Sequence, residues 1–364
     1  MRILYDHQVF SLQDVGGISR YYFELARHIV RFDSCSVEFF LGMQRNIFRF
    51  ADPPRVNTLE YSGKFVIPPG KFRYLLNELL SEVWLPTRGQ FDVYHPTHCR
   101  HLSVVKKRKM VVTHHDCAYE MFPHLFPSSA SVIAMRRQLF AKADAIICIS
   151  AATRRDLHNF YEVPGSKTFV VHHGISQIQP ITNGTAAPLT GRPFLLYVGS
   201  RFAYKNFDGL LRAFGRAQMD HEYDLVALGG GPPTAEETAL IRELRINQRV
   251  HFLAAVSDAL LAQAYSQAHL FVYPSLYEGF GFPPLEAMSL NCPVLAAHTS
   301  SIPEVCQDAA FYFDPQQQDQ FAQELKRSCT DETARKEKIE KGRQLVARYT
   351  WDRCASETLR IYRQ

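Results

Sequence analysis

The sequence predicts an α/β protein with two parallel-sheet domains of similar size. Short apolar runs of strand length alternate with helix-like segments, the alternation stops in a polar stretch and then restarts, and 364 residues are long for a single domain. The predicted boundaries are residues 1–176 for the first domain, 177–192 for a linker, 193–349 for the second domain and 350–364 for a final helix.

The first domain begins with a short apolar strand, followed by a helix that two glycines open. This helix, "GGISRYYFELARHIVR", places Ile18, Tyr22 and Leu25 on one face. Alternation of strands and helices favours a parallel sheet with helices on both faces. The other predicted strands are "SVEFFLG", "FDVYHPT", "KMVVTHHD", "DAIICIS" and "KTFVVHHGI", and the other predicted helices are "SASVIAMRRQLFAKA" and "AATRRDLHNFY".

The linker is rich in Pro, Gly, Thr and Asn, and the strand–helix pattern restarts after it. One helical region is predicted from residue 318 to residue 349, and "TWDRCASETLRIYR" predicts one more helix with Thr350 or Asp352 near its N-cap. Ligands of parallel sheets bind at the carboxyl ends of the strands, and we expect the site in the cleft between the two domains. The predicted strands of this domain are "PFLLYVGS", "YDLVALGGG", "RVHFLAAV", "HLFVYPS", "CPVLAAH" and "AAFYFD".

Composition narrows the class of protein. A net charge of +5 is mildly basic and fits an anionic substrate or an anionic membrane surface. Basic residues are scattered without a recognised module, which argues against nucleic-acid binding. The eight cysteines form no C-x-x-C pair, and we expect reduced, mostly buried thiols in a cytoplasmic protein. No signal peptide or spanning apolar run is present, so we expect a soluble or peripheral protein.

Two stretches of the first domain are candidates for chemistry. In "DVGGISRYY", Gly16 and Gly17 permit close backbone approach, and the helix N-terminus with Arg20 suits a phosphate, although a plain turn would look the same. In "VTHHDCAYE", His115 and Asp116 follow a strand, and the histidine could bind a substrate hydroxyl or cap the strand.

The second domain carries cations and glycines at its strand ends. Arg201 and Lys205, next to Ser200, precede a helix whose dipole they oppose, which a bound diphosphate would explain; solvated surface cations are the alternative. Gly230 permits close backbone approach to a ligand, as does Gly174 in the first domain, and a loose turn is again the alternative.

The stretch "YEGFGFPPLEAMSLNCPV" places Glu278 and Glu286 around a turn that opens a helix. Pro283 and Pro284 suit a first helical turn, and we expect Glu286 in that turn, where its charge suits the dipole. Carboxylates accept hydrogen bonds from vicinal hydroxyls, so each glutamate could hold one sugar, with a diphosphate between them. The alternative is a dipole-stabilising glutamate and a surface glutamate.

These motifs together resemble the family 4 type of retaining glycosyltransferase, which has the GT-B fold. The resemblance covers nearly the whole chain. "EGFGFPPLE" matches the E-x7-E motif of that family, and "SSIPEV" follows at the usual distance. "YDHQVFSLQDVGGISRYY", "HHDCAYEMFP" and "YVGSRFAYKNF" match a bacterial subgroup that builds surface polysaccharides such as O-antigen or capsule, often from GDP-mannose. "TWDRCASETLRIYR" resembles the helix that crosses back to the N-terminal domain.

The resemblance implies a role for each matching residue. Glu278 would bind hydroxyls of the donor sugar, and Glu286 would bind the ribose. Arg201 and Lys205 would hold the diphosphate and stabilise the leaving group, and His115 would contact the sugar near the reacting carbon. Arg20 and Asp116 are expected on the acceptor side. The backbone of Gly16, Gly17, Phe280, Gly281 and Phe282 would contact the sugar and the diphosphate of the donor. Apart from the resemblance, donor contacts are also expected at Gly174, Ser200, Gly230 and Gly279.

Two departures from the family pattern are present. His114 beside His115 leaves two possible registers, of which the "HD" match favours His115. His173 and Ser176 stand where the family often has Asn and Asp.

The resemblance implies a metal-independent hexosyltransferase with no cofactor, and no D-x-D motif is placed to bind a metal. GDP-mannose is the first donor candidate, followed by GDP-rhamnose and UDP-sugars. The acceptor would be an oligosaccharide or polyprenyl-linked saccharide at the inner membrane. The segments "KFVIPPGKFRYLL" and "MQRNIFRF" mix cations with aromatics, which suits an anionic interface; an acceptor-side surface loop without membrane contact is the alternative. A GT-B epimerase, a phosphorylase, for which no cofactor lysine is identified, and a non-catalytic sugar-nucleotide-binding protein are the rivals.

Overall fold

The computed structural model describes residues 1–14, 16–32, 34–44, 46, 56–60, 70–87, 91–98, 108–176, 187–254 and 257–364. The chain forms two compact units. The first unit comprises Met1–Gly174 together with Thr350–Gln364, and the second comprises Ile175–Tyr349.

The first unit is built on a seven-stranded parallel sheet in the order β3-β2-β1-β4-β5-β6-β7. The order reverses between β1 and β4, as in a doubly wound sheet. The predicted strands of this unit are confirmed, and β3 is a strand that the sequence pattern did not predict. The strands are β1 Arg2–Tyr5, β2 Ser36–Gly42, β3 Val56–Glu60, β4 Val93–His95, β5 Lys109–His114, β6 Ala145–Cys148 and β7 Thr168–Val170.

Helices connect these strands, and the three predicted ones are present. Ser150 begins α6 by accepting a hydrogen bond from the Thr153 amide, an N-cap of the usual kind. The helix α3 was not predicted, because its segment was interpreted as a basic-aromatic loop. The helices are α1 Gln8–Leu12, α2 Gly17–Ile29, α3 Gly70–Thr87, α4 Ala118–Met121, α5 Ser129–Lys142 and α6 Ala151–Phe160.

The second unit contains a six-stranded parallel sheet in the order β10-β9-β8-β11-β12-β13. Its strand order reverses between β8 and β11. All six predicted strands are confirmed. They are β8 Phe194–Val198, β9 Asp224–Leu228, β10 Val250–Leu253, β11 Leu270–Tyr273, β12 Val294–Ala297 and β13 Phe311–Phe313.

The long helical region after β13 is divided in two. Asp331 separates the helices and caps the second by accepting a hydrogen bond from the Ala334 amide. This break corrects the prediction of one continuous helical segment. The helices of the unit are α7 Phe207–Arg216, α8 Ala235–Glu243, α9 Asp258–Gln267, α10 Phe282–Ser289, α11 Ile302–Cys306, α12 Gln318–Thr330 and α13 Glu332–Val346.

The last helix, α14 Trp351–Arg363, packs on α2 of the first unit, which confirms the predicted return to the N-terminal domain. Thr350 caps it by accepting a hydrogen bond from the Arg353 amide. The buried Tyr362 hydroxyl lies 3.0 Å from the Tyr5 hydroxyl and 2.6 Å from Nδ1 of His95. These contacts attach the helix to the ends of β1 and β4.

Some predicted features lie outside the described residues. Residues 177–186 of the predicted linker are among them, while its later part is ordered on α9, where Gln267 accepts a hydrogen bond from the Leu189 amide. Most of "MQRNIFRF" and the first half of "KFVIPPGKFRYLL" also lie outside. Within the described part of the chain, no helix is long and apolar enough to cross a bilayer. Each cysteine that the structure describes is a free thiol and is buried.

Gly174 is expected to resist substitution for a packing reason. A Cβ atom there would lie 2.3 Å from the Trp351 amide nitrogen and 2.6 Å from the Thr350 carbonyl carbon, which are backbone atoms at the start of α14. Gly174→Ala should therefore lower the free energy of unfolding by about 1–3 kcal/mol, as overpacking does. Urea denaturation measures this.

Gly165→Ala is the matched control, since no heavy atom lies within 4 Å of its added Cβ. An equal loss of stability in both variants would contradict the packing explanation.

Candidate active site

The loops that follow β8 and β11 carry most of the predicted donor-binding residues. These two strands are neighbours at the point where the strand order reverses, so their following loops diverge to opposite faces of the sheet and leave a crevice at the carboxyl edge. Lys205 lies in the loop after β8, and Glu278 lies in the loop after β11. The Leu276 amide donates to the Tyr204 carbonyl at 2.8 Å and ties the two loops together.

Lys205 and Glu278 form an ion pair in this crevice. The Lys205 ammonium donates to both carboxylate oxygens of Glu278, at 2.7 and 2.9 Å. The two side chains are 20% and 12% exposed, so solvent screens the pair less than it screens a surface pair. Burial and the nearby Glu278 charge raise the pKa of Tyr273 and of Tyr197, so both phenols stay protonated.

Two serines of "SSIPEV", Ser300 and Ser301, hydrogen-bond the backbone from Glu278 to Phe280. Ser300 accepts a hydrogen bond from the Glu278 amide at 2.9 Å. The fully buried Ser301 hydroxyl lies 2.8 Å from the carbonyl of Glu278 and 2.8 Å from that of Phe280. These serines therefore position the glutamate loop. Sequence reasoning noted the motif but gave it no role.

Helix α10 begins after Gly281, whose φ of 128° is in the region that favours glycine. Phe280 and Phe282 flank it with ring centroids 5.4 Å apart, and Gly279 lies within the loop that the serines hold.

The position of Glu286 differs from the prediction. It is the fifth residue of α10, and no acidic side chain lies in the first turn, because the helix already begins at Phe282. Glu286 is 8% exposed, and Tyr265 donates to its carboxylate at 3.4 Å. A buried carboxylate beyond the first turn gains little from the helix dipole. The helix dipole therefore does not account for its burial, and its predicted contact with the ribose stays a prediction.

Arg201 is held by the protein itself. Its guanidinium donates to Glu237 at 2.7 Å and to the carbonyls of Gly229, Gly231 and Pro232 at 2.8, 3.2 and 2.7 Å. The arginine and glutamate side chains are 4% and 6% exposed. Arg201 thus fixes the glycine turn after β9. The predicted contact of Arg201 with a diphosphate stays a prediction.

The glycine turn is shaped to receive this guanidinium. Gly230 has a φ of 73°, and a Cβ atom there would lie 2.7 Å from Nη1 of Arg201. Its lack of a side chain is therefore explained by the arginine. The Ser200 carbonyl accepts a hydrogen bond from the Tyr197 hydroxyl at 2.6 Å, and its contact with a donor stays a prediction.

In the first unit, the last residue of β5, His114, and the residue after it, His115, differ in burial. His114 is 2% exposed, lies 3.2 Å from the Cys117 sulfur through Nε2, and packs edge-on against Phe140. His115 is only partly buried. Successive side chains of an extended chain alternate between faces, so one histidine belongs to the core and the other does not. This arrangement favours His115 as the functional residue.

His115 lies in an aromatic pocket. Its ring stacks on His173 at 5.7 Å between centroids and meets the edge of Tyr21 at 5.3 Å. Its Nε2 atom is buried and has no hydrogen-bond partner among the described residues. Burial lowers the pKa of His115 to about 4, despite the opposing effect of Asp116. A neutral ring with an unpaired nitrogen suits a hydrogen bond to a substrate hydroxyl.

The other predicted residues of the first unit have structural contacts. Asp116 accepts a hydrogen bond from the Ala118 amide at 3.0 Å and lies 3.9 Å from Arg136. Gly16 is the N-cap of α2 in an extended conformation, Gly17 begins the helix, and Arg20 lies in its first turn. Gly174 makes room for the backbone of α14. Ligand binding by these residues stays a prediction.

Over the described ranges, no group of three His, Cys, Asp or Glu side chains is arranged to hold a metal ion. Independence of metal remains a prediction.

Two family models match this sequence and together span most of it. The model of glycosyltransferase family 4 matches residues 15–177, and the model of glycosyl transferases group 1 matches residues 185–345. The chain belongs to the family 4 glycosyltransferases. It is an enzyme of sugar transfer with the GT-B fold, and a nucleotide sugar is the typical donor of this family.

Relatives of this glycosyltransferase include enzymes named for mannosyl transfer. It is 27% identical over 268 residues to O-antigen chain mannosyltransferase B of Escherichia coli, covering 70% of each chain. It is 24% identical over 227 residues to O-antigen chain mannosyltransferase RfbU of Salmonella typhimurium, covering 62% of each.

Solved structures share the fold of this glycosyltransferase. WaaG, a glycosyltransferase involved in lipopolysaccharide biosynthesis, has a TM-score of 0.74 at 17% identity, covering 99% of each chain. Sucrose-phosphate synthase of Thermosynechococcus elongatus has a TM-score of 0.79 at 21% identity, covering 100% of this chain and 98% of the other.

Ser301→Ala is expected to damage activity more than stability. Removing the hydroxyl takes away the donor that the carbonyls of Glu278 and Phe280 share and frees the loop that carries Glu278, and a misplaced binding group lowers catalysis strongly. We expect kcat/KM to fall at least tenfold, with a loss of about 1–3 kcal/mol in the free energy of unfolding. Steady-state kinetics and urea denaturation measure the two effects.

The control is Ser289→Ala, which removes a hydroxyl that donates to the Glu286 carbonyl at 2.7 Å within α10. Unchanged kcat/KM in Ser301→Ala would show that the serine does not position the loop.

The free energy of unfolding is expected to fall between pH 7 and pH 5. Burial lowers the pKa of His95 to about 3 and those of His98 and His115 to about 4, below the ordinary value near 6.5. As the pH falls, these histidines therefore take up protons in the unfolded chain before they do so in the folded protein. This lowers the free energy of unfolding by roughly 1–2 kcal/mol for each histidine at pH 5. Urea unfolding at the two pH values tests this.

His115→Asn should reduce the pH dependence, whereas His124→Asn, at an exposed position, should preserve it. Equal stability of the wild type at pH 5 and pH 7 would refute the explanation.

Proposed function

We propose that this glycosyltransferase moves a mannosyl residue from GDP-mannose to a lipid-linked saccharide, with retention of configuration, in the synthesis of a bacterial surface polysaccharide. The observation that carries the proposal is the Lys205–Glu278 pair in the crevice between β8 and β11. The pair places an ammonium, which can bind a diphosphate, beside a carboxylate, which can bind sugar hydroxyls. The names of the two O-antigen relatives support mannose as the sugar.

The donor sugar would lie against the loop after β11. Glu278 offers carboxylate oxygens to the sugar hydroxyls, and Lys205, within 2.9 Å of them, offers its ammonium to the adjoining diphosphate. Pro283 and Pro284 have no N–H, which leaves the amides of Gly281 and Phe282 as donors at the start of α10. Glu286, one turn further along, would accept hydrogen bonds from the ribose.

The reaction would proceed by departure and attack on one face of the sugar. The bond between the anomeric carbon and the diphosphate oxygen breaks, and the acceptor hydroxyl oxygen forms the new bond. The hydroxyl proton passes to the departing phosphate oxygen. Lys205 and the amides at the start of α10 would stabilise the charge that develops on the diphosphate, a role that requires no metal ion. His115 would hold a sugar hydroxyl near the reacting carbon.

The acceptor would be bound by the first unit. Arg20 at the start of α2 and Asp116 after β5 are the proposed contacts. A lipid-linked acceptor would place the reaction at the cytoplasmic face of the inner membrane, where the enzyme would bind as a peripheral membrane protein. The basic-aromatic segments that motivate the membrane contact fall largely outside the described residues.

Nucleotide binding is the test of the donor. Calorimetry with GDP, UDP and dTDP should show tight binding of GDP alone. Glu286→Ala should lose at least tenfold in affinity, since a buried ribose contact to a charged group contributes about 1.5–3 kcal/mol. Glu340→Ala, an exposed position on α13, should bind as the wild type does.

Tight binding of UDP instead would overturn GDP-mannose as the donor and leave glycosyl transfer standing. Binding of none of the three would refute the nucleotide-sugar proposal. Consumption of GDP-mannose without an acceptor, giving an epimerised sugar nucleotide, would favour an epimerase.

A further inference from the structure

A cavity of about 520 Å³ lies at the amino edge of the sheet in the second unit. Its lining comes from residues shortly before the starts of β8, β9 and β10, which are neighbouring parallel strands. Lys205 and Glu278 follow strand ends at the opposite edge, about 15 Å away for strands of this length. The cavity is therefore separate from the donor crevice. Its charged lining consists of Arg192, Asp220, His221, Arg242, Arg245 and Arg249.

Positive charge dominates this cavity, with four arginines against one aspartate. Nη1 of Arg249 lies 3.7 Å from Asp224, and Arg192 donates to the His221 carbonyl. Across the described ranges, neither Arg242 nor Arg245 has a carboxylate within ion-pair distance. Four guanidinium groups around one space, with one carboxylate among the lining residues, repel one another, so an anion in the cavity would stabilise them.

The backbone at Arg245 gives a second indication. Helix α8 ends in a Schellman motif, in which the Ile246 amide donates to the Ile241 carbonyl at 3.1 Å and the Arg245 amide donates to the Arg242 carbonyl at 3.0 Å. Arg245 occupies its left-handed position with a φ of 58°. Glycine is favoured there, and a longer side chain costs free energy. An arginine at this position is consistent with a use for its guanidinium.

We propose that this cavity binds a phosphate group. Arginine guanidinium groups match the geometry of phosphate oxygens and can donate to them in pairs, and several forks around one space suit an anion of more than one charge. The phosphate would belong either to a lipid headgroup or to a soluble phosphate. The chemistry is the same for both, and the experiment separates them.

Arg245→Gly should raise stability and lower binding. Glycine relieves the left-handed backbone, so Tm should rise by about 2 °C, while affinity for inorganic phosphate, measured by calorimetry, should fall at least tenfold. In parallel, the fraction of protein captured by phosphatidylcholine vesicles containing phosphatidylglycerol should be compared with capture by phosphatidylcholine alone. Any phosphate binding at the donor crevice is the same in the wild type and in the variants. The readout is therefore the difference in phosphate affinity between the wild type and each variant.

Gln218→Gly is the matched control. Gln218 has a φ of 53° after α7 and does not line the cavity, so its Tm should rise similarly with no change in binding. Arg242→Gln should repeat the loss of binding without altering the turn.

Loss of phosphate binding in the two arginine variants supports the proposal with a soluble phosphate. Loss of capture by the anionic vesicles alone supports it with a lipid headgroup. Wild-type phosphate binding and vesicle capture in both arginine variants would overturn it.

Discussion

The reversal of strand order between β8 and β11 is the constraint on which the crevice with Lys205 and Glu278 depends. Because these parallel strands are neighbours, the chain leaving one crosses to one face of the sheet and the chain leaving the other crosses to the opposite face. The loops that follow β8 and β11 therefore lie on either side of one opening. Lys205 and Glu278 can meet there although they are 73 positions apart in sequence. Ser300 and Ser301, after β12, support the same opening from the next strand along.

The same edge shows two different uses of positive charge. Arg201 makes its bonds within the protein and is nearly fully buried, so its contribution is to hold the glycine turn in shape. Lys205 is more exposed and pairs with a carboxylate at the opening. Arginine has a planar fork with five N–H groups and suits the first task, whereas the ammonium of lysine rotates freely and suits the second. Two cations that look equivalent in "YVGSRFAYKNF" are therefore not equivalent in the fold.

Local pattern predicted most of the strands and the residues at their carboxyl ends, because apolar runs and breaking residues are read within a few positions. It did not predict contacts that join distant segments. Glu237 shows no sign in the sequence of being the partner of Arg201, and Ser301 shows none of supporting Glu278. The predicted position of Glu286 was wrong by one residue, because Pro283 and Pro284 mark a first turn without showing that the helix begins at Phe282, one residue before them. Helix α3 was missed because its leucines were considered together with the basic residues preceding them.

The packing of α14 on α2 has a consequence for the order in which the molecule is made. Residues 350–364 leave the ribosome only after the whole second unit, which can already have folded when they appear. The first unit must wait with the ends of β1 and β4 lacking the Tyr362 hydroxyl that contacts them. During synthesis, the domain that begins first is thus the one completed last.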